Sequence, residues 1–157
     1  FNVMIKKIFF IIIIFSFLFQ CSGYKPIYAK KEQNFQLGKI EIFGNEKLNK
    51  IILRNLKTIK KENKKNTKIL NLEIDTRLVK KINSKDKKGN PNKYEIIVLT
   101  DLIINQGKDK TLQKSFYISN TYNAFDSEFE QNKYEKTIEK TLTSKISQKI
   151  IIYLQTL

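Results

Sequence analysis

Three kinds of residue in this chain bear on chemistry: a single cysteine, a scatter of serines and carboxylates, and a large excess of lysine. Cys21 directly follows an apolar run, Ile8 to Phe19, broken only by Ser16 and preceded by Lys6 and Lys7. That is where a bacterial lipoprotein signal places the thiol that takes a diacylglycerol thioether before cleavage. Ser84-Lys85 and Ser144-Lys145 hold the parts of a Ser-Lys dyad, but neighbouring side chains diverge on a strand or helix, and Ser84 reads as part of a solvated loop. Glu73 and Asp75 read as the polar face of a strand, not as a pair for acid/base work. With no His and one Cys, the usual zinc sites, a Ser-His or Cys-His pair and an internal disulfide are all excluded. The five glycines are scattered and form no phosphate loop. The expectation is a protein that is not an enzyme, with no metal and no cofactor.

Charge carries more information. Thirty Lys and Arg face fifteen Asp and Glu, for a net charge of +15, and only Arg54 and Arg77 are arginine. A Lys, Ile and Asn bias is also what an AT-rich coding sequence produces. Between Lys57 and Lys88, however, twelve basic residues meet four acidic ones, so over half of the excess sits in about a fifth of the chain. One reading is a solvated surface. The other is a patch for a phosphorylated or otherwise anionic partner, where Lys acts as a point charge. Arg77, Lys80, Lys81, Lys85, Lys87 and Lys88 are its candidate residues, chosen by charge and loop position. Nucleic acid is the ordinary partner for such charge, but an export signal argues against it.

The export signal is read from layout: a basic start, an apolar stretch of twelve residues and a processing point at Gln20-Cys21. The stretch is short against the roughly 20 apolar residues that span a bilayer. Residues 1–20 are therefore expected to be a lipoprotein-type signal peptide, 21–37 a lipidated tether, and 38–157 one domain. Acyl chains such as palmitate on Cys21 would hold the domain on a membrane, since each buried methylene contributes about 0.8 kcal/mol.

Periodicity supplies the elements. Ile40 and Ile42 alternate with polar neighbours as a short strand, and Gly44-Asn45 is a turn. Leu48, Ile52, Leu56 and Ile59 then fall at helical spacing. Leu70, Leu72, Ile74, Thr76 and Leu78 point one way, with Asn71, Glu73, Asp75 and Arg77 the other, as on a strand with one wet face. Asn83 to Lys93 reads as a basic loop around Gly89-Asn90-Pro91. Tyr94, Ile96, Val98, Leu102 and Ile104 form a strand whose other face carries Ile97, Leu99 and Ile103, which predicts the most buried position in the sheet. A turn at Asn105-Gln106-Gly107-Lys108 leads to a strand with Leu112, Phe116, Ile118 and Tyr122. Ser127 and Glu130 match a capping box, and Ile138, Leu142, Ile146, Ile150 and Leu154 carry the helix it opens. The order is β-α-β-β-β-α. Two apolar helix stripes and three half-apolar strands predict an α+β two-layer sandwich, both helices on one face of a four-stranded sheet.

The sequence Cys21-Ser22-Gly23-Tyr24-Lys25-Pro26-Ile27-Tyr28 resembles the Cys-Gly-Phe-x-Pro-Leu-Tyr start of mature lipopolysaccharide-assembly lipoproteins, the LptE family of α-proteobacterial type, with Ser22 as an extra residue. Leu18-Phe19-Gln20-Cys21 resembles their lipobox, with Gln20 in place of a small residue. Thr121-Tyr122-Asn123 and Ser127-Glu128-Phe129 are similar to the family's Ser-Tyr-Asn and Ser-x-Tyr stretch before the last helix, although the small alanines usual in that helix are here Lys, Thr and Ile. The resemblance spans essentially the whole chain. It implies a lipoprotein of the outer membrane, exposed to the periplasm, that binds and plugs the β-barrel translocon LptD and helps move lipopolysaccharide to the outer leaflet. It also implies that basic residues bind lipopolysaccharide directly. The alternative on charge and anchor alone is a lipid-anchored binding or scaffold domain for another anionic envelope ligand.

Overall fold

The computed structural model describes residues 35–59, 68–107 and 110–157. Cys21, the signal segment and most of the tether lie outside the described residues. Six elements follow in the expected order: β1 (Phe35–Gly44), α1 (Glu46–Leu56), β2 (Lys68–Lys85), β3 (Pro91–Asn105), β4 (Thr111–Asn123) and α2 (Glu128–Leu154). The four strands form one mixed sheet in sequence order, β1-β2-β3-β4, with β1 parallel to β2 and the other pairs antiparallel. Two α-helices complete the α+β sandwich.

Alternation decides which residues are inside. Leu70, Leu72, Ile74 and Thr76 of β2 are buried, as are Ile96, Val98, Thr100, Leu102 and Ile104 of β3 and Phe116 and Tyr122 of β4. Register puts these on one face, with Leu72 opposite Ile104, Ile74 opposite Leu102, Thr76 opposite Thr100 and Phe116 opposite Thr100. Leu48, Ile52 and Leu56 of α1 close the layer with Ile138, Leu142, Ile146, Ile150 and Leu154 of α2 in one core cluster. Each Leu or Ile so buried contributes about 1.5–3 kcal/mol. The two polar residues at the centre satisfy each other, Thr76 Oγ1 lying 3.2 Å from Thr100 Oγ1. Thr143 and Ser147, also buried, return their hydroxyls to the carbonyls of Glu139 and Thr143 one helical turn back.

Helix ends follow local chemistry. Asn45 caps α1, its Oδ1 accepting from Leu48 N at 3.1 Å, and Asn49 Nδ2 donates to Phe43 O, tying the helix to the end of β1. Ser127 caps α2 and accepts from Glu130 N. Between β1 and α1 the chain turns at Gly44, whose φ is +77°. A Cβ there would collide with the Asp75 carboxylate and with Thr76 O, so both dihedral and space require glycine.

Three boundaries differ from those the periodicity predicts. Strand β1 starts at Phe35, inside the segment expected to be tether, because a bulge between Leu37 and Ile40 breaks the period of two and hides the alternation. Phe35 is buried before that bulge, and Ile40 packs on the core after it. The expected loop from Asn83 to Lys93 is shorter: β2 runs to Lys85 and β3 resumes at Pro91. Proline is tolerated there because it opens the strand. Ile59 lies in the turn after α1, which ends at Leu56, but still packs against the core.

Candidate functional site: a basic hairpin and two paired sheet faces

The six candidate cations are all carried by β2 and the turn that follows it, and parity sends them to three places. Arg77 and Lys81 are odd and point to the face away from the helices. Lys80, even like Leu78 and Thr76, points to the helix side. Lys85, Lys87 and Lys88 lie at the end of the hairpin.

On the open face the charges are already used. Arg77 Nη2 donates to Asp101 Oδ2, its Nε lies 3.7 Å from Asp75 Oδ2, and Ser115 Oγ donates to the other Asp101 oxygen at 2.6 Å. Lys81 Nζ sits 3.0 Å from Glu95 Oε2. A hydrogen bond from Ser119, then that ammonium, hold the Glu95 carboxyl below its ordinary range. Asn105 Nδ2 donates to Glu73 Oε1 at 3.0 Å, and Thr111 Oγ1 to Asn105 Oδ1 at 2.9 Å. The face is thus a lattice of polar groups that satisfy one another across three strands, interleaved with Leu99, Ile97 and Ile103.

Lys80 belongs to a different structure. Its Nζ lies 2.7 Å from Glu135 Oε1 of α2 and 4.7 Å from the centre of the Tyr94 ring. Tyr122 Oη donates to the same carboxylate oxygen. Tyr122 stacks on Tyr94 with centroids 5.7 Å apart and meets Tyr134 edge-on at 5.5 Å. Burial pushes the Glu135 carboxyl up, but hydrogen bonds from Lys80 and Tyr122 and the Lys80 charge outweigh it, leaving the group below the usual carboxylate range. Burial, and then the hydrogen bond to Glu135, push the Tyr122 phenol well above its ordinary value. Glu135 was missing from the sequence reading, although the parity of Lys80 with Leu78 carried the signal that this lysine faces the helices.

The hairpin end is where cations remain available. Asp86 organises the turn: its Oδ1 accepts from Lys88 N at 2.8 Å and Asn90 N at 2.9 Å, and Gly89 takes φ +86°. The Asn90 amide is the main reason that the Asp86 carboxyl lies below its ordinary range. Its charge is therefore turned onto backbone N–H groups. Among the described residues no carboxylate lies within ion-pair distance of Lys85, Lys87 or Lys88. Three exposed ammoniums on a two-strand ridge can meet phosphate or carboxylate groups as point charges. The described residues include no group of three acidic, His or Cys side chains that could hold a metal, and no helix long and apolar enough to cross a membrane.

Fold and surface together define a class: a two-layer α+β sandwich with a basic hairpin end and a second, internally paired sheet face that no element among the described residues covers. Several solved structures that share this fold are bacterial lipoproteins. Rare lipoprotein B from Shewanella oneidensis is similar with a TM-score of 0.59 at 12% identity, over 76% of this chain and 95% of that one. A minor lipoprotein from Acinetobacter baumannii gives a TM-score of 0.56 at 9% identity, over 78% and 93%. An uncharacterized lipoprotein B from Nitrosomonas europaea gives 0.55 at 13%, over 85% and 88%. No protein-family model matches the sequence, and no curated protein matches it. At these identities the likeness is one of fold.

Proposed function

We propose that this chain is a non-catalytic lipoprotein of the LptE kind, tethered through Cys21 to the periplasmic face of the outer membrane. It binds and plugs an LptD-like β-barrel translocon and assists lipopolysaccharide assembly. The observation that carries the reading is the likeness of the sandwich to bacterial lipoproteins along nearly their whole length. Two features of this chain support it. A barrel lumen is polar, and the open face, where Arg77 pairs with Asp101 and Lys81 with Glu95 among hydrogen-bonded Ser and Asn side chains, suits such a lining. Lys85, Lys87 and Lys88, unpaired among the described residues, supply cations for lipopolysaccharide phosphates; Arg77, Lys80 and Lys81 act in that site only by exchanging a carboxylate partner for a phosphate. No bond is made or broken in this role.

A second reading, a lipid-anchored binding or scaffold domain for another anionic envelope ligand, draws on the same hairpin. Its free cations are all lysines, which lack the planar fork that selects one phosphate geometry. Purification of the tagged full chain from its native envelope in mild detergent separates the two. Co-isolation of a large β-barrel protein is expected, and repeated recovery of the chain without one refutes the plug.

A further inference from the structure

The two edges of the sheet are not alike. Strand β1 is blunted in the way edges usually are: it carries a bulge between Leu37 and Ile40, an ion pair of Lys39 with Glu41, and Gly38. Strand β4 has none of these devices. Its thirteen residues, Thr111 to Asn123, pair with β3 in one unbroken register and contain a single charge, Lys114, and no proline. Hydrogen bonds at the two ends fix which backbone groups are spent. Gln106 N donates to Lys110 O, and Ala124 N donates to Asn92 O. Given the continuous register, the even residues of β4 bond to β3, and the N–H and C=O groups of Gln113, Ser115, Tyr117, Ser119 and Thr121 point outward. Among the described residues no strand lies beyond them. A long, regular, nearly uncharged edge of this kind is a template for a further strand.

The sequence of β4 says which strand fits. Turned about Tyr117, it is complementary to itself. On the open face Ser115 meets Ser119, Gln113 meets Thr121, and Tyr117, 54% exposed, meets its own copy. On the helix face Phe116 meets Ile118, an aromatic and β-branched pair of the kind that stabilises sheets. Leu112 meets Tyr122, and Lys114 meets Asn120, so the one charge never faces its like. Every outward N–H finds a carbonyl. We propose that β4 is a self-association edge through which two copies of this chain pair antiparallel, about a two-fold axis at Tyr117, into one eight-stranded sheet. The contact is isologous and closes at two copies. The two-fold sends the basic hairpins to opposite ends of the dimer, and at about 150 mM salt charges interact over only about 8 Å, so the net +15 does not oppose pairing at the seam. The inference is independent of the barrel reading. A plug seated alone in a lumen would use the monomer, with the dimer as its form outside the barrel.

Edge pairing buries little area, so the dimer is weak, with a Kd on the order of 10 µM. The test uses the full chain with Cys21→Ser in mild detergent. Sedimentation at about 100 µM and about 150 mM salt is expected to give the dimer mass. Directly opposed residues of a hydrogen-bonded antiparallel pair have Cα atoms about 5.5 Å apart, within disulfide range. Tyr117→Cys is therefore expected to cross-link to itself on oxidation, and Gln113→Cys is not. A mixture of Gln113→Cys and Thr121→Cys chains is expected to form the heterodimer. Thr121→Pro removes an N–H that bonds nothing within its own sheet, so the far-UV spectrum and melting should be retained while Kd rises about tenfold. A monomer at about 100 µM overturns the proposal and leaves the edge to a strand of another protein. Equal self-cross-linking at Gln113→Cys and Tyr117→Cys also overturns it, since it would report random collision.

Discussion

Replacing Lys80 by Met tests the account of the Glu135 node most directly. The ammonium lies 2.7 Å from a carboxylate whose side chain is only 11% exposed, and over the face of Tyr94. Met keeps the length and apolar stem but leaves Glu135 with hydrogen bonds and no opposing charge. A charge-assisted hydrogen bond is worth about 1.5–3 kcal/mol and the contact with the ring about 0.5–1 kcal/mol. Lys80 is 40% exposed, so water screens part of both, and a loss of about 2 kcal/mol is expected, or about 10 °C in Tm for a domain of this size. The sign with pH follows from the carboxyl. In the parent Glu135 is held below its ordinary value, so its contribution is full at neutral pH and is lost as pH falls through the folded pKa. In the variant, burial dominates and moves Glu135 up, so the deficit is largest near neutrality and shrinks as acid protonates the carboxyl. Urea unfolding of both chains at pH 7 and pH 3.5 reads this out. A deficit under about 0.5 kcal/mol at pH 7, or one that does not shrink with acid, would refute the reasoning.

Reversal of Lys85, Lys87 and Lys88 to Glu should weaken binding to lipopolysaccharide vesicles at low salt by about tenfold, with unchanged melting, because these side chains make no ion pair among the described residues; affinity that survives the reversal would assign them to solvation. Gly44→Ala should cost about 2–4 kcal/mol, since a left-handed residue pays about 1–2 kcal/mol and its Cβ meets the Thr76 carbonyl, and thermal unfolding measures it. Cys21→Ser should abolish incorporation of labelled acyl chains and release the protein from membranes on fractionation, and labelling that persists would remove Cys21 as the anchor.

Much of the sandwich is legible because its strands keep strict parity. Leu70 through Leu78 and Tyr94 through Ile104 announce their buried faces, and the stripe from Ile138 to Leu154 returns every fourth residue. Strand β1 is legible only from Ile40 onward, since one bulge suffices to scramble a two-residue period. The cations show a different limit. Positive charge is visible in composition, but whether it is available depends on carboxylates far along the chain. Asp101 and Glu95 reach Arg77 and Lys81 only through the β2–β3 register, and Glu135 reaches Lys80 from a helix fifty-five positions away. Lys85, Lys87 and Lys88 carry the same signal in composition and have no carboxylate partner among the described residues, because the one carboxylate among them, Asp86, faces the backbone of its own turn.

The register of the first strand has a consequence of scale. Phe35 pairs with Lys68 at one pole of β2, and the lysine-bearing turn follows Lys85 at the other. Eighteen residues of strand separate those points by about 55 Å. A hydrocarbon core is about 30 Å thick. An attachment at the Phe35 end would therefore display Lys85, Lys87 and Lys88 farther away than a hydrocarbon core is thick, with β2 as the ruler that sets the distance.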